Sequence, residues 1–174
     1  MRNSFFLLSL TFLSVFLVGC TKRVVEEKNG AVYSKAYDVR VNFKKDPSDN
    51  VWYYQERIIN TAYSDVVLVY AAQAFDNNNN PIWETLPRTY YTRDGKSAFY
   101  DYKFIQTKLE ITLTSKEDLN NLPFFTKNRI FRVVLVPASR GESANLSPEN
   151  LRKLPYEEVI KRLGMEKSSI KTPK

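Results

Sequence analysis

The chain has 174 residues, of which 43% are hydrophobic and 14% aromatic, with no histidine, one cysteine and a formal net charge of +7. This length and composition suit one folded domain with a sizeable core and exclude a disordered chain. The missing histidine excludes Ser-His-Asp and Cys-His catalysis and zinc sites built on histidine. The single cysteine excludes a disulfide within the chain.

The first twenty residues predict a lipoprotein signal. Arg2 precedes an apolar run over residues 5–18. This run is shorter than the ~20 apolar residues that span a bilayer and is typical of a secretory signal. Leu17-Val18-Gly19-Cys20 then reads as a bacterial lipobox. We expect residues 1–19 to be removed and Cys20 to be acylated on its thiol and amino group, since several acyl chains anchor stably. The alternative is a secreted protein with a chance cysteine at the cleavage site.

Residues 20–30 predict a tether between the lipid and the domain, because they are charged and poor in large apolar side chains. The alternative is that Val24 and Val25 begin an edge strand. The residue after the cysteine is Thr21 and not an acidic residue. A non-acidic residue at this position resembles the sorting pattern for the outer membrane. The predicted location is therefore that membrane, at its periplasmic face or at the cell surface.

Residues 31–138 predict a β-sandwich domain, since strand-like runs follow one another between turn signals. Apolar and polar residues alternate over 37–43 and 108–113, which predicts strands with one solvated face. Nearly continuous apolar runs over 66–75 and 130–136 predict central strands covered on both faces. Further strands are expected over 51–59, 82–86, 88–92 and 97–105, with a tight Asp94-Gly95 hairpin before the last of them.

Seven or eight strands favour an all-β fold, an antiparallel two-sheet sandwich of immunoglobulin-like type, with a closed barrel as the alternative. Residues 139–174 predict a polar linker, one short helix and a basic tail. Pro155 marks the start of the helix and Gly164 its end. The apolar face of this helix is expected to pack on the sandwich, and it consists of Tyr156, Val159, Ile160 and Leu163.

The positive charge is concentrated near the end of the sequence. From Leu151 onward there are seven basic residues against three acidic ones, whereas residues 20–150 hold 18 against 16. The body of the protein is therefore close to neutral. Nucleic-acid binding needs a concentrated basic face, so nucleic acid is excluded as a partner. A basic tail fits better beside lipid phosphates.

Several sequence blocks resemble an uncharacterised family of small Gram-negative lipoproteins, some of which carry a collagen-like Gly-Pro segment after the lipobox. The blocks are Asp65-Val66-Val67-Leu68-Val69-Tyr70, Trp83 with Leu86-Pro87, Asp118-Leu119 with Leu122, and Asn128 followed by Ile130-Phe131-Arg132-Val133-Val134-Leu135-Val136-Pro137-Ala138. The resemblance implies a β-rich lipoprotein and no particular activity, and it transfers no functional residue beyond Cys20. Residues 21–30 depart from it, because they contain no Gly-Pro repeat.

The sequence contains two candidate polar sites. Glycosidase chemistry with two carboxylates stays open to Glu56, Glu84, Asp101 and Glu110, although acids in strands usually face solvent. The run over 76–80 starts like a calcium loop, but Pro81 and Pro87 stand where an EF-hand needs glycine and glutamate, so a polar hairpin loop is expected. The sequence therefore predicts no catalytic residue, no metal ligand and no cofactor.

The aromatic residues are the most plausible binding material. Adjacent residues of a strand point to opposite faces, so about half of these rings should enter the core. The set comprises Trp52-Tyr53-Tyr54, Trp83, Tyr90-Tyr91, Phe99-Tyr100 and Tyr102. An exposed row could bind a glycan or a protein, and the alternative is cross-strand pairs that only stabilise the sheet.

The predicted function is a lipid-anchored, non-catalytic binding or assembly module of the cell envelope. Its partners would be the membrane, through acyl chains on Cys20, and an envelope protein or glycan. The alternatives are a structural envelope component and, less favoured, a hydrolase that uses two carboxylates.

Overall fold

The computed structural model describes residues 34–58, 66–105, 107–137, 146–166 and 170. In chain order its strands are β1 (Lys35–Val41), β2 (Lys44–Lys45), β3 (Trp52–Arg57), β4 (Val66–Phe75), β5 (Pro81–Thr85), β6 (Arg88–Tyr91), β7 (Ser97–Ile105), β8 (Lys108–Thr114) and β9 (Arg129–Val136). The predicted signal, Cys20 and the tether lie outside the described residues and stay predictions.

The strands form two antiparallel sheets. The four-stranded sheet has the order β1-β9-β4-β5, and the five-stranded sheet has the order β2-β3-β8-β7-β6. At one of the crossings from the four-stranded to the five-stranded sheet, between β5 and β6, the Leu86–Pro87 peptide bond is cis. An all-β, two-sheet sandwich is thus confirmed.

The main core lies between the two sheets. Alternate residues of β4 and β9, such as Val69 and Val133, point inward from the four-stranded sheet. They meet Tyr100 from β7 and Ile111 from β8, which are fully buried. The hydroxyl of Tyr100 donates a hydrogen bond to the carbonyl oxygen of Phe125 at 2.6 Å. The polar tip of this buried ring is therefore satisfied by backbone.

Three short helices accompany the sheets in the described part: α1 (Pro123–Thr126), α2 (Pro148–Arg152) and α3 (Tyr156–Arg162). A 3₁₀ turn, Leu119–Asn121, precedes α1. None of these helices is long and apolar enough to cross a membrane. The predicted C-terminal helix is confirmed as α3, which follows Pro155 and ends before Gly164 at φ 64°.

A second core lies on the outer face of the four-stranded sheet, beneath α2 and α3. Its buried residues are Leu68, Tyr70, Val134, Val136, Leu151, Tyr156, Val159, Ile160 and Leu163. The expectation that β4 and β9 are central strands covered on both faces is confirmed, since residues of both strands belong to both cores. The four-stranded sheet is consequently the middle layer of three.

The expectation about the face of Asp38 is wrong. The alternation over 37–43 placed Asp38 on a solvated face, but this side chain is fully buried. Asp38 does point away from the inter-sheet core, opposite Arg132 of β9. Its face is not solvated at this position because Arg132, which lies under α3, covers it.

Both predicted hairpin loops are present. At the Asp94-Gly95 turn, the backbone N–H of Thr92 donates to the carbonyl oxygen of Lys96, and Gly95 has a φ of 83°. In the loop between β4 and β5, a carboxylate oxygen of Asp76 accepts from the backbone N–H groups of Asn78 and Asn80. That loop is the polar hairpin loop expected from the sequence.

Candidate functional site

A cleft of ≈ 1040 Å³ opens on the outer face of the four-stranded sheet, next to the first turn of α3. The helices cover only one part of this face, and the cleft occupies the part beside them. Its floor comes from β1, β5 and β9, and its sides come from α3 and from the loop between β4 and β5. The lining includes Asp38, Arg40, Phe75, Asp76, Asn79, Asn80, Ile82, Trp83, Ile130, Arg132, Tyr156, Glu157 and Ile170.

A buried ion pair forms part of the floor. Nε of Arg132 donates to Oδ1 of Asp38 at 2.6 Å, and Nη2 donates to Oδ2 at 2.9 Å. Nη1 of Arg132 donates to the hydroxyl of Tyr156 on α3. Bidentate pairing of this kind holds both side chains in one geometry. Burial opposes the charged form of Arg132, but the hydrogen bonds and charge of Asp38 outweigh it, and the pKa of Arg132 lies above its usual value.

Two aromatic rings enclose the guanidinium of Arg132. Its central carbon lies 4.2 Å from the ring centroid of Trp83 and 5.2 Å from that of Tyr156. The two rings are in turn 5.9 Å apart, centroid to centroid. Burial raises the pKa of Tyr156 although Arg132 opposes that shift, so the phenol is neutral at physiological pH. The result is a fixed floor with aromatic and polar groups side by side.

The rim of the cleft is more exposed than its floor. Phe75 and Ile82 are 50% and 49% exposed, and they are two of the few large apolar side chains at the surface of the described part. Arg40 and Asp76 add charge at the rim. Hydrogen bonds from the side chain and backbone of Asn80 hold the pKa of Asp76 below its usual value, which keeps its carboxylate ionised.

The four candidate carboxylates do not form one site. Asp101 and Glu110 are diagonal neighbours on the outer face of the five-stranded sheet, whereas Glu56 is on the opposite face of that sheet and Glu84 lies in the other sheet. Glu84 pairs with Nε of Arg88 at 2.6 Å, and Glu56 accepts from the hydroxyl of Tyr54 at 3.2 Å. Oδ1 of Asp101 accepts from the backbone N–H of Tyr102. Glu84 belongs to the four-stranded sheet and the others to the five-stranded sheet. All four lie in the described part of the chain, and none of them lines the cleft.

Glu110 was expected on a solvated strand face but is only 8% exposed. It points out of the five-stranded sheet and is covered by its neighbours. Its Oε1 lies 2.5 Å from Nζ of Lys103, and its Oε2 accepts from Nε2 of Gln55 at 2.5 Å. Burial alone would raise the pKa of Glu110, but these two neighbours outweigh burial and lower it. Among the described residues, no group of three or more His, Cys, Asp or Glu side chains could hold a metal ion.

The predicted alternation of the aromatic residues is confirmed. Tyr91 is 73% exposed while Tyr90 is buried, and Phe99 is 40% exposed while Tyr100 is buried. Because Ser97 lies opposite Tyr91, the exposed rings of Tyr91 and Phe99 are diagonal neighbours on the outer face of the five-stranded sheet. Among the predicted aromatic set, Trp83 alone lines the cleft.

Sequence reasoning missed Asp38, Arg132 and Tyr156 as members of a site. One signal was available, because Arg132 is the only charged residue in the otherwise apolar run 130–136. A charge in a strand covered on both faces requires a buried partner of opposite sign. The identity of that partner was not available from the sequence, since Asp38 is 94 positions away.

Comparison with known proteins adds no relative: no family model, no curated protein and no solved structure matches the chain.

Proposed function

We propose that the protein is a lipoprotein, anchored in the outer membrane by acyl chains on Cys20, which binds a component of the cell envelope in the cleft beside α3. The observation that carries this proposal is the cleft itself, a concave site whose floor is fixed by Asp38, Arg132 and Tyr156. Binding sites in proteins are typically preformed concavities that combine apolar surface with a few convergent polar groups.

The arrangement of charges supports binding rather than catalysis. Asp38 and Arg132 neutralise each other's charge in a bidentate ion pair. The pair therefore shapes the floor of the cleft and offers no separate acid or base. The exposed rim instead supplies apolar contact from Phe75 and Ile82 and hydrogen-bonding groups from Asn79 and Asn80. An envelope protein segment or a glycan can use both kinds of contact.

The proposal is tested by capture from envelope extracts with full-length protein in detergent. The cleft variant carries Phe75→Glu and Ile82→Glu, which place two charges on the apolar rim. The control variant carries Tyr91→Glu, which places a charge on the most exposed aromatic residue of the other sheet. We expect a partner that the wild type and the control capture and that the cleft variant loses.

Two outcomes contradict the proposal. One is that repeated captures with the wild type return no partner. The other is that the cleft variant captures the same partner as strongly as the Tyr91→Glu control. Each protein is first checked by circular dichroism, so that loss of capture is not confused with loss of fold.

A further inference from the structure

We infer that the domain docks on an anionic bilayer surface through one end of the five-stranded sheet, the basic tip, which consists of Arg57, Lys103, Ile105 and Lys108. The orientation of the domain on its own membrane rests on the anchor proposed above, whereas the attraction of the basic tip to anionic lipid does not. Three features lead to this surface: a row of neighbouring side chains, an excess of positive charge, and the place where the chain enters the domain.

The basic tip is one continuous patch. Lys108 of β8 lies directly opposite Arg57 of β3 on one side and Ile105 of β7 on the other. Directly opposed residues of antiparallel strands share a face, with Cβ atoms about 4.5–5.5 Å apart. Lys103 shares the same face, because it lies two positions before Ile105. Leu109, the neighbour of Lys108, is buried between the sheets, so this row of side chains points outward.

Positive charge exceeds negative charge in this patch. Arg57 and Lys108 are like charges in directly opposed positions, an arrangement that destabilises a sheet unless an anion is near. Within the described part of the chain, Arg57 has no carboxylate at ion-pair distance. Lys103 and Lys108 share Glu110, whose Oε1 and Oε2 lie 2.5 Å and 3.8 Å from the respective Nζ atoms. Three cations and one carboxylate leave a net charge of +2.

Ile105 adds an apolar side chain beside these cations. It is 60% exposed, although it is large and aliphatic. Proteins that bind at a membrane interface combine apolar side chains, which enter the boundary between headgroups and acyl chains, with lysine and arginine, which attract anionic lipids. Lipid phosphates would supply the anions that Arg57 and Lys108 lack, so the charge of the basic tip is complementary to an anionic leaflet.

The chain enters the described domain at the same end of the sandwich. The hydroxyl of Tyr102 in β7 donates to the carbonyl oxygen of Val67 at 2.9 Å, so the last part of β7 lies beside the start of β4. Within the four-stranded sheet, Val67 and Lys35 are both paired with Leu135. β1 therefore begins at the end that carries the basic tip. An acylated Cys20 would hold this end, and not the opposite one, next to lipid.

Docking in this orientation leaves the cleft accessible. The cleft is lined by Arg40 near the end of β1, by Ile130 near the start of β9 and by the loop between β4 and β5. These positions lie toward the opposite end of the sandwich from the basic tip. A domain that rests on the bilayer through the basic tip thus turns its cleft away from the lipid and toward other envelope components.

The test measures contact between the basic tip and lipid with a tryptophan reporter. The full protein, purified in detergent, is transferred to vesicles of phosphatidylcholine with brominated acyl chains, with or without phosphatidylglycerol. Ile105→Trp places the reporter on the basic tip and keeps a large apolar side chain there. Tyr91→Trp is the matched control, because Tyr91 is 73% exposed on the same sheet but at its opposite end. Both natural tryptophans stay in each protein, and the wild type gives their contribution.

We expect the Ile105→Trp protein to show emission that is shifted to the blue and quenched by bromine in the vesicles with phosphatidylglycerol. The Tyr91→Trp protein should show neither effect. Added salt should weaken the quenching, since exposed charges contribute to docking. Quenching that is equal with and without phosphatidylglycerol, or equal for the two reporters, overturns the inference.

A charge variant tests the role of the cations. Arg57→Gln with Lys108→Gln is introduced into the Ile105→Trp protein, and circular dichroism checks its fold. Each basic side chain near an anionic leaflet strengthens binding on the order of five-fold, so the ratio of docked to undocked protein should fall about 25-fold. Arg93→Gln with Lys127→Gln removes the same charge from the opposite end and should leave quenching unchanged. Equal quenching in the two double variants contradicts docking through the basic tip.

These results separate the docking from the proposed function. No quenching, together with partner capture that depends on Phe75 and Ile82, overturns the docking and leaves the proposed function standing. Quenching without acylation of Cys20 supports the docking and contradicts the anchor. An acidic protein captured through Arg57 and Lys108, with no quenching by brominated lipid, would show that the basic tip binds protein and would also overturn the inference.

Discussion

Arg132 occupies a position where an uncompensated charge would be very costly. It lies in the middle of β9 and is 7% exposed, and its partner Asp38 is fully buried. Removing an ion from water costs several kcal/mol even after relaxation, and only good geometry offsets that cost. Arg132 has this geometry, because it forms two hydrogen bonds to Asp38 and one to Tyr156 and lies over the face of the Trp83 ring.

Substituting Arg132→Leu should therefore lower the free energy of unfolding by about 3–5 kcal/mol, because Asp38 is left buried without its partner. The measurement is a urea titration followed by circular dichroism. Arg88→Leu is the matched control, since Arg88 is itself exposed in its pair with the half-buried Glu84, and this variant should lose about 1 kcal/mol or less.

The double variant Asp38→Leu with Arg132→Leu checks the cause. It removes both charges, so it should be less destabilised than Arg132→Leu alone. A double variant that is less stable than the single one would show that the loss comes from packing and not from the buried charge.

At this scale the sequence could be read only in part. Alternation correctly predicted which way Tyr90, Tyr91, Phe99 and Tyr100 point. It could not predict the burial of Asp38, because alternation assigns a residue to a face and does not say what covers that face. The cover of Asp38 comes from Arg132, far along the chain.

Among the elements, α3 packs the helical layer against the four-stranded sheet. Its acids, Glu157 and Glu158, come in the first turn and its bases, Lys161 and Arg162, in the last, an order that suits the helix dipole. Seven residues are too few for a stable helix in isolation. Its stability therefore comes from the apolar face that it buries against β4 and β9.

Truncation of that face should be costly. Ile160 is 3% exposed within the outer core, so Ile160→Ala should lower the free energy of unfolding by about 2–5 kcal/mol. Lys161→Ala is the matched control on the exposed side of the same helix and should stay within about 0.5 kcal/mol of wild type. The measurement is a urea titration of both variants. If Ile160→Ala were as stable as Lys161→Ala, α3 would not be packed as described.

Strands and α3 were predictable because hydrophobic periodicity and turn residues mark them locally. α2 was not predicted, since Leu151 is its one outer-core residue among the side chains that the structure describes, and its five residues carry no period. The two-residue strand β2 was not predicted for the same reason. Elements this short are stabilised by their contacts with the rest of the fold, and the sequence of the element does not specify those contacts.

At the scale of the whole molecule, the proposed anchor sets how far the domain can stand from the lipid. Lys35 begins β1, fifteen positions after Cys20. A chain of that length reaches at most ~50 Å. The domain would then stay within that distance of the bilayer while its cleft engages other envelope components.

The anchor is tested at Cys20. Since this is the only cysteine, Cys20→Ser should abolish incorporation of radiolabelled palmitate in a bacterial host. Thr21→Ala is the control and should keep the label. Label that persists in Cys20→Ser, or is missing from the wild type, contradicts the lipoprotein assignment.

The pairing between strands could not be predicted from the sequence. Local patterns show that 37–43 and 130–136 are strands, but they do not show that the two are neighbours. The cleft depends on this pairing, because it places Asp38 opposite Arg132. The position of the site could thus be seen only once the sheet was assembled.

The same pairing has a consequence for how the chain matures. The first strand can complete the sheet only after the ninth has been synthesised, and non-local pairings of this kind make folding slow. Until then β1 carries unsatisfied backbone donors and acceptors and exposed Val39 and Val41, which are features that promote association with other chains. β1 is therefore a segment that needs protection from other chains until β9 has formed.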